Sequence, residues 1–397
     1  MATTITTTVH ATSDLTTDRL VIDLAPKIAL LDTNENPATF VARKAATKKA
    51  KQPKVSWDTD VLRPDKDQIN FDTGYASVDT AITVDNGDYF AVGDLWQVFD
   101  SYEIVFVANT PASDVVGFTR NYPATSSGET GFPTALVDND WLLRIANASE
   151  EGSGAPVAQM TKEVQVDNYN QIVKTPFSLT ETEIASLLNT EPQLPYETRK
   201  KGVEHSHEIE RLFFYGIPSA VKTGGSSKLV RTVGGAQWYI KENAPSNQIV
   251  TQADLTEDEF LEFLRNGFRF GSRRKWFFMA PIMASAMEKW GLIKLQTKAS
   301  ESLYGWNPLN WKSPHGDITL VIHKMLEGPN PGTVGGQGYL LDMEEIMFRP
   351  LRDTRLELNI QAPDEDRRDA QYLTEFSLTF GNPSKHAILQ GVNSFSA

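Results

Sequence analysis

The stretch Leu194–Gly216, LPYETRKKGVEHSHEIERLFFYG, constrains this chain more than any other. Pro195 suits a first helical turn, because it needs no amide partner and its φ is already helical. Gly216 and Pro218 supply a stop. About 20 residues rising about 1.5 Å each predict a rod of about 30 Å, the spine helix 195–216. Its apolar residues are Val203, Ile209, Leu212, Phe213 and Phe214. At helical spacing Gly202, Ser206, Ile209 and Phe213 share one narrow stripe, where small residues let another backbone approach. The remainder is charged: Glu197, Arg199, Lys200, Lys201, Glu204, Glu208, Glu210 and Arg211. Such a rod is either a solvated helix laid over a sheet or an element whose charged flanks meet other copies. Arg199–Lys201 fall in the first turns, where the helix dipole disfavours positive charge, so their partners are expected outside the helix.

The chain has 397 residues, enough for two or three domains that each bury a core. With no cysteine, disulfides, zinc–thiolate sites and a cysteine nucleophile are excluded. A formal charge of −13 argues against a protein whose main task is gripping nucleic acid, though not against a lining that faces packed DNA. No run of 18 apolar residues predicts a membrane span, and MATTITTTVHATSDL lacks the regions of a signal peptide. A cytoplasmic site of synthesis is expected.

Residues 1–54 are rich in Thr and Ala and then basic, with Arg43, Lys44, Lys48, Lys49, Lys51 and Lys54. Ile22–Leu31 reads as a short helix or extended piece. This arm has too little apolar content to fold alone. Its lysines are either solvated or dock on an acidic neighbour or nucleic acid. From Val55 to about Glu151, short β-branched and aromatic runs predict strands at Ala81–Val84, Leu95–Phe99, Glu103–Ala108, Val115–Thr119 and Trp141–Ile145. Turn chemistry such as Asp85-Asn86-Gly87-Asp88 and Gly93-Asp94 divides them, as in a small barrel or sandwich. An extended run over 161–179 and a short helix at Thr182–Asn189 precede the rod.

Residues 229–350 alternate helices and strands. Thr256 and Glu259 form a capping box ahead of Phe260, Leu261, Leu264 and Phe268. Trp276–Met279 reads as a buried strand, and Pro281 opens a Met/Ala-rich helix. Lys294–Gly316 reads as a polar surface loop whose Trp306 and Trp311 either anchor an interface or fold back onto their own domain. Near the end, Leu356, Leu358 and Ile360, then Tyr372, Phe376, Leu378 and Phe380, alternate with polar residues. These are two period-two strands of a long hairpin around the charged tip Pro363–Asp369.

Enzyme templates find no match. His205 and His207 are two apart on a helix and diverge, so they cannot share a metal as an i, i+4 pair would. H-E-x-x-H, G-x-S-x-G and a strand-borne G-x-G-x-x-G are missing, and Thr223-Gly224-Gly225-Ser226-Ser227 lacks the Gly-Lys-Ser/Thr of a phosphate loop. No catalytic, cofactor-binding or metal-ligating residue is assigned, and no cofactor is expected.

Four passages resemble the major capsid proteins of tailed bacteriophages of the Hong Kong 97-type fold, in the branch with a β-domain inserted in the extended loop. VGDLWQVFDSYEIVFVAN with FTRNYPATSS resembles the inserted barrel, although Asn121 stands where glycine is usual. KKGVEHSHEIERLFFYG with GGAQWYI resembles the spine helix and the entry into the next domain. LTEDEFLEFLRNGFRFG with FFMAP resembles that domain's first helix and strand. YLLDMEEIMFRPLRDTRLELNI with YLTEFSLTFGNPSKHAILQGV carries the closest likeness, and the four together span most of residues 55–393.

The resemblance implies an α+β fold with an N-terminal arm (1–54) and an extended loop (55–160) bearing a β-domain at about 77–145. It implies a peripheral domain (161–222 with 345–397) and an axial domain (223–344). It further implies a structural protein that forms pentamers and hexamers of an icosahedral shell around double-stranded DNA. Portal, scaffold or decoration proteins would be its partners, no membrane would be involved, and the site of action would be the virion. The interface residues expected are Arg199, Lys200, Lys201, Glu204, Glu208, Glu210, Arg211, Trp306 and Trp311. A tail, decoration or adhesion protein, and a soluble enzyme without a recognisable motif, stay open as alternatives.

Overall fold

The computed structural model describes residues 36–122, 135–186, 192–222, 228–251, 254–291, 298–299, 309–328 and 335–395. Ile22–Leu31, Trp306 and the Thr223–Ser227 loop lie outside them. The helices are α1 (Pro37–Ala45), α2 (Glu181–Ala185), α3 (Gln193–Tyr215), α4 (Ala236–Asn243), α5 (Glu257–Gly267) and α6 (Pro281–Lys289). The chain divides into two compact units, Asp58–Gln165 and the remainder, Met1–Trp57 with Val166–Ala397.

The Asp58–Gln165 unit is a six-stranded sheet in the order 66–68, 141–147, 94–98, 104–112, 115–119, 81–83. An Ile69–Val84 bridge, with Asn70 N–H donating to the Thr83 carbonyl and Asp85 N–H to that of Gln68, joins the two edges into a small barrel. Trp96 stacks on Phe90 at 4.1 Å in its core. Three carboxylates are buried there with partners, as a charge removed from water requires, and the first, Asp67, accepts from Asn86 N–H and Nδ2. Glu103 takes two hydrogen bonds from Arg120, at 2.7 and 2.6 Å, and one from Asn121 N–H. Asp94 accepts from Arg63 and Arg144. Asn121 has φ +56°, the left-handed region, which asparagine adopts more readily than other side chains do.

In the other unit α3 lies on a three-stranded sheet of Gln171–Thr180, Arg367–Thr379 and Met347–Leu358. The expected stripe faces inward at Ile209 and Phe213, both buried. A Cβ on Gly202 would sit 3.2 Å from the Tyr372 hydroxyl, so this glycine allows the rod to settle onto the hairpin. Gly216 ends the helix for a different reason from the one expected. Its φ is −57°, not left-handed, but a Cβ there would meet the Val233 carbonyl oxygen at 2.3 Å. Close backbone approach, not turn conformation, demands the glycine. Beyond Ile209, Phe213 packs on Phe380 and Phe214 on Tyr339 and Phe278, each burial contributing about 2–3 kcal/mol.

A seven-stranded sheet runs in the order 248–250, 387–392, 336–341, 274–279, 317–322, 309–312, 298–299. α5 carries the expected capping box, with Glu259 N–H donating to Thr256 Oγ1 and Thr256 N–H to Glu259 Oε2. Phe260, Phe263 and Leu264 of α5 pack on Phe277, Leu340 and Leu389. Two expectations change here. Ala387–Val392 lies inside this sheet, parallel to 248–250 and antiparallel to 336–341, so residues 345–397 do not all belong with the hairpin. Leu309–Lys312, expected in a surface loop, is a strand paired with Asp317–Ile322.

Candidate assembly interface

The charges of α3 sort into three groups. Lys200 and Lys201 find partners on the helix itself: Glu197 at 3.8 Å and Glu204 at 2.6 Å, both i, i+3. The expectation of partners outside the helix is therefore corrected for these two lysines, since neighbouring carboxylates offset the dipole. Arg199 and Lys200 also stand over the Tyr196 ring, at 5.7 and 5.9 Å. Such half-exposed ion pairs contribute only about 0.3–0.5 kcal/mol each and leave the side chains able to exchange partners.

Glu208 and Glu210 turn inward. Thr175 Oγ1 donates to Glu208 at 2.9 Å and also lies 2.8 Å from His205 Nδ1. His205 is buried, its Nε2 is 2.7 Å from Thr374 Oγ1, and burial holds its pKa below the usual imidazole value. A neutral ring with the proton on Nδ1 satisfies this row of hydroxyls. Glu210 is fully buried, which removes it from the interface residues expected from sequence. Its two oxygens accept the Ala38 and Thr39 amides at 2.8 Å each, and His323 Nε2 is 2.9 Å away. Met325 N–H donates to His323 Nδ1, so Nε2 carries the proton toward Glu210. Since Asn36 makes no side-chain cap, Glu210 of α3 caps α1 in its place. The arm's helix is thereby tied into the core, where Ala38, Val41 and Ala42 join Phe213 and Phe348. Arg211 is exposed and makes no ion pair among the described residues.

Trp311 is likewise corrected: it is 4% exposed and stacks on Phe260 at 6.2 Å, within its own domain. A strand of four residues gave no period long enough to betray it.

A second surface comes from the arm. Lys48 N–H donates to the Phe348 carbonyl, Ala50 N–H to that of Pro350, and Phe348 N–H to that of Ala46, which pins residues 46–50 along the hairpin's edge. Lys48, Lys49 and Lys51 are exposed on this segment. The distribution of charge makes it stand out. The Asp58–Gln165 unit holds 18 acidic and 5 basic side chains, so the whole formal charge of −13 resides there and the remainder is balanced. Residues 36–57 hold six basic side chains and no acidic one. The basic run was legible in the sequence; the acidic excess of the Asp58–Gln165 unit needed a count of charge by segment.

The family model described as SU10 major capsid protein matches residues 2–393. A major capsid protein of Pseudomonas phage PaMx41 is 24% identical over 275 residues, 66% of this chain, and the match spans 63% of that relative's length. Among solved structures, one from Mycobacterium phage Bobi aligns with a TM-score of 0.47 at 9% identity, covering 95% of this chain and 97% of that one. The capsid of an empty GTA particle aligns at the same score and identity, covering 98% of each.

Proposed function

The chain belongs to the SU10 major capsid protein family, and on that premise we propose that its copies close into rings of five and six that tile an icosahedral shell around double-stranded DNA. It is a structural subunit of a phage capsid, not an enzyme. The observation that carries the reading is the reach of the family match, residues 2–393, which takes in arm, β-domain and body together. Rings require head-to-tail interfaces that close by rotation. A subunit held by several neighbours gains avidity from geometry, so each contact can be modest. Portal, scaffold or decoration proteins would complete the head.

The exposed flank of the rod is the interface we assign, with Arg211 the side chain left for a neighbour's carboxylate and Lys200 and Lys201 able to exchange partners. Substituting Lys200→Glu, Lys201→Glu and Arg211→Glu together should change subunit stability by less than about 1 kcal/mol, since all three are surface charges. The same variant should lose most closed particles in electron micrographs. A normal yield of particles would remove the rod from the interface.

A further inference from the structure

We propose that the pinned segment 46–51, through Lys48, Lys49 and Lys51, meets the phosphate backbone of the enclosed nucleic acid, an inference that rests on the capsid reading above. Of the six basic side chains in residues 36–57, Lys54 is neutralised by Asp167 at 2.6 Å and Arg43 faces Asp353 at 3.5 Å. Lys48, Lys49 and Lys51 are exposed and form no ion pair among the described residues. The hairpin strand that this segment lies along, Met347–Leu358, carries Arg349, Arg352 and Arg355 against Asp353 and Glu357, with Arg352 paired to Glu375 and Arg355 to Glu357.

Three like charges within four residues repel one another. Backbone hydrogen bonds to Phe348 and Pro350 hold them together even so. A linear polyanion answers such a row better than scattered carboxylates do. Exposed lysine–carboxylate pairs contribute at most about 1 kcal/mol. Each neutralised phosphate instead releases condensed counterions, which gives a slope of about −0.9 in log K against log salt. The unit that carries this segment is itself balanced in charge, so it adds no net repulsion toward a polyanion.

The test uses the full chain as unassembled subunits and a short fluorescent DNA duplex, with affinity measured from about 50 to about 200 mM salt. The variant is Lys48→Gln, Lys49→Gln and Lys51→Gln together, with its thermal midpoint as the check on folding. The expected result is a salt slope shallower by about 3 with the midpoint unchanged. An unchanged slope in a folded variant overturns the proposal. So does a variant that keeps its DNA affinity but loses shells, which would give these lysines to a neighbouring copy's acidic surface. Wild-type shells in the same preparations keep the two readings separate: if they form while the slope stays fixed, only this inference fails.

Discussion

Replacing Glu210 with alanine is expected to cost the subunit about 4 kcal/mol. The carboxylate is buried and satisfies three donors at once, the Ala38 and Thr39 amides and His323 Nε2. Alanine would leave all three without an acceptor, and each unmet buried donor costs about 1–3 kcal/mol. Glu210→Gln keeps the shape but offers one oxygen and one NH2 group. One α1 amide would then face a donor, at a cost of about 2 kcal/mol. Because α1 depends on this cap, both variants should also expose the arm to proteolysis before the body unfolds. Urea denaturation of the unassembled subunit, with limited proteolysis alongside, measures both effects. A loss below about 1 kcal/mol would show that the carboxylate does not carry the arm.

Acidification should have an effect of similar size. His386 is fully buried, its Nδ1 accepts the Asp342 amide at 3.1 Å, and its Nε2 donates to the Phe380 carbonyl at 2.9 Å. Burial pushes its pKa down to about 4. An unfolded chain takes up the proton near pH 6.5, whereas the folded one refuses it until about pH 4. In that window the unfolded state binds more protons, so stability is complete above the unfolded value and falls as pH drops toward 4. At about 1.4 kcal/mol per pH unit the total is about 3 kcal/mol. His205, also pushed down by burial, acts with the same sign. Urea midpoints taken at steps from neutral pH down to the folded pKa should decline steadily, and His386→Gln should flatten the decline. A flat wild-type profile would contradict a neutral buried His386.

Local chemistry was legible in the sequence and distant pairing was not. Five of the six barrel strands announced themselves because turn residues cut the chain around them, and Val115–Thr119 falls where its β-branched run placed it, whereas Lys66–Gln68 is too short and polar to show. The capping box at Thr256 and Glu259 needed only a spacing of three. Glu210 looked like one more solvated charge, since the amides it caps lie 172 and 171 residues away. The placement of Ala387–Val392 in the seven-stranded sheet is a matter of topology, for which an apolar strand carries no address. The pairing of Lys200 and Lys201 on their own helix was within reach of the sequence, since Glu197 and Glu204 stand at the right spacing. The dipole argument gave those residues to a neighbour because it weighed the terminus and not the adjacent carboxylates.

Function was legible as an order of passages more than as a site. Of the nine interface residues expected, Glu210 and Trp311 are buried inside the subunit, while Arg211 stays exposed at the end of the rod. The arm is the counterpart: its helix is core, and its lysines are surface.

The most direct measurement of the central claim is size-exclusion chromatography of the purified full chain followed by negative-stain microscopy of the largest species. The capsid reading predicts closed particles built from rings of five and six. A chain that assembles instead into tubes, fibres or trimers would contradict it.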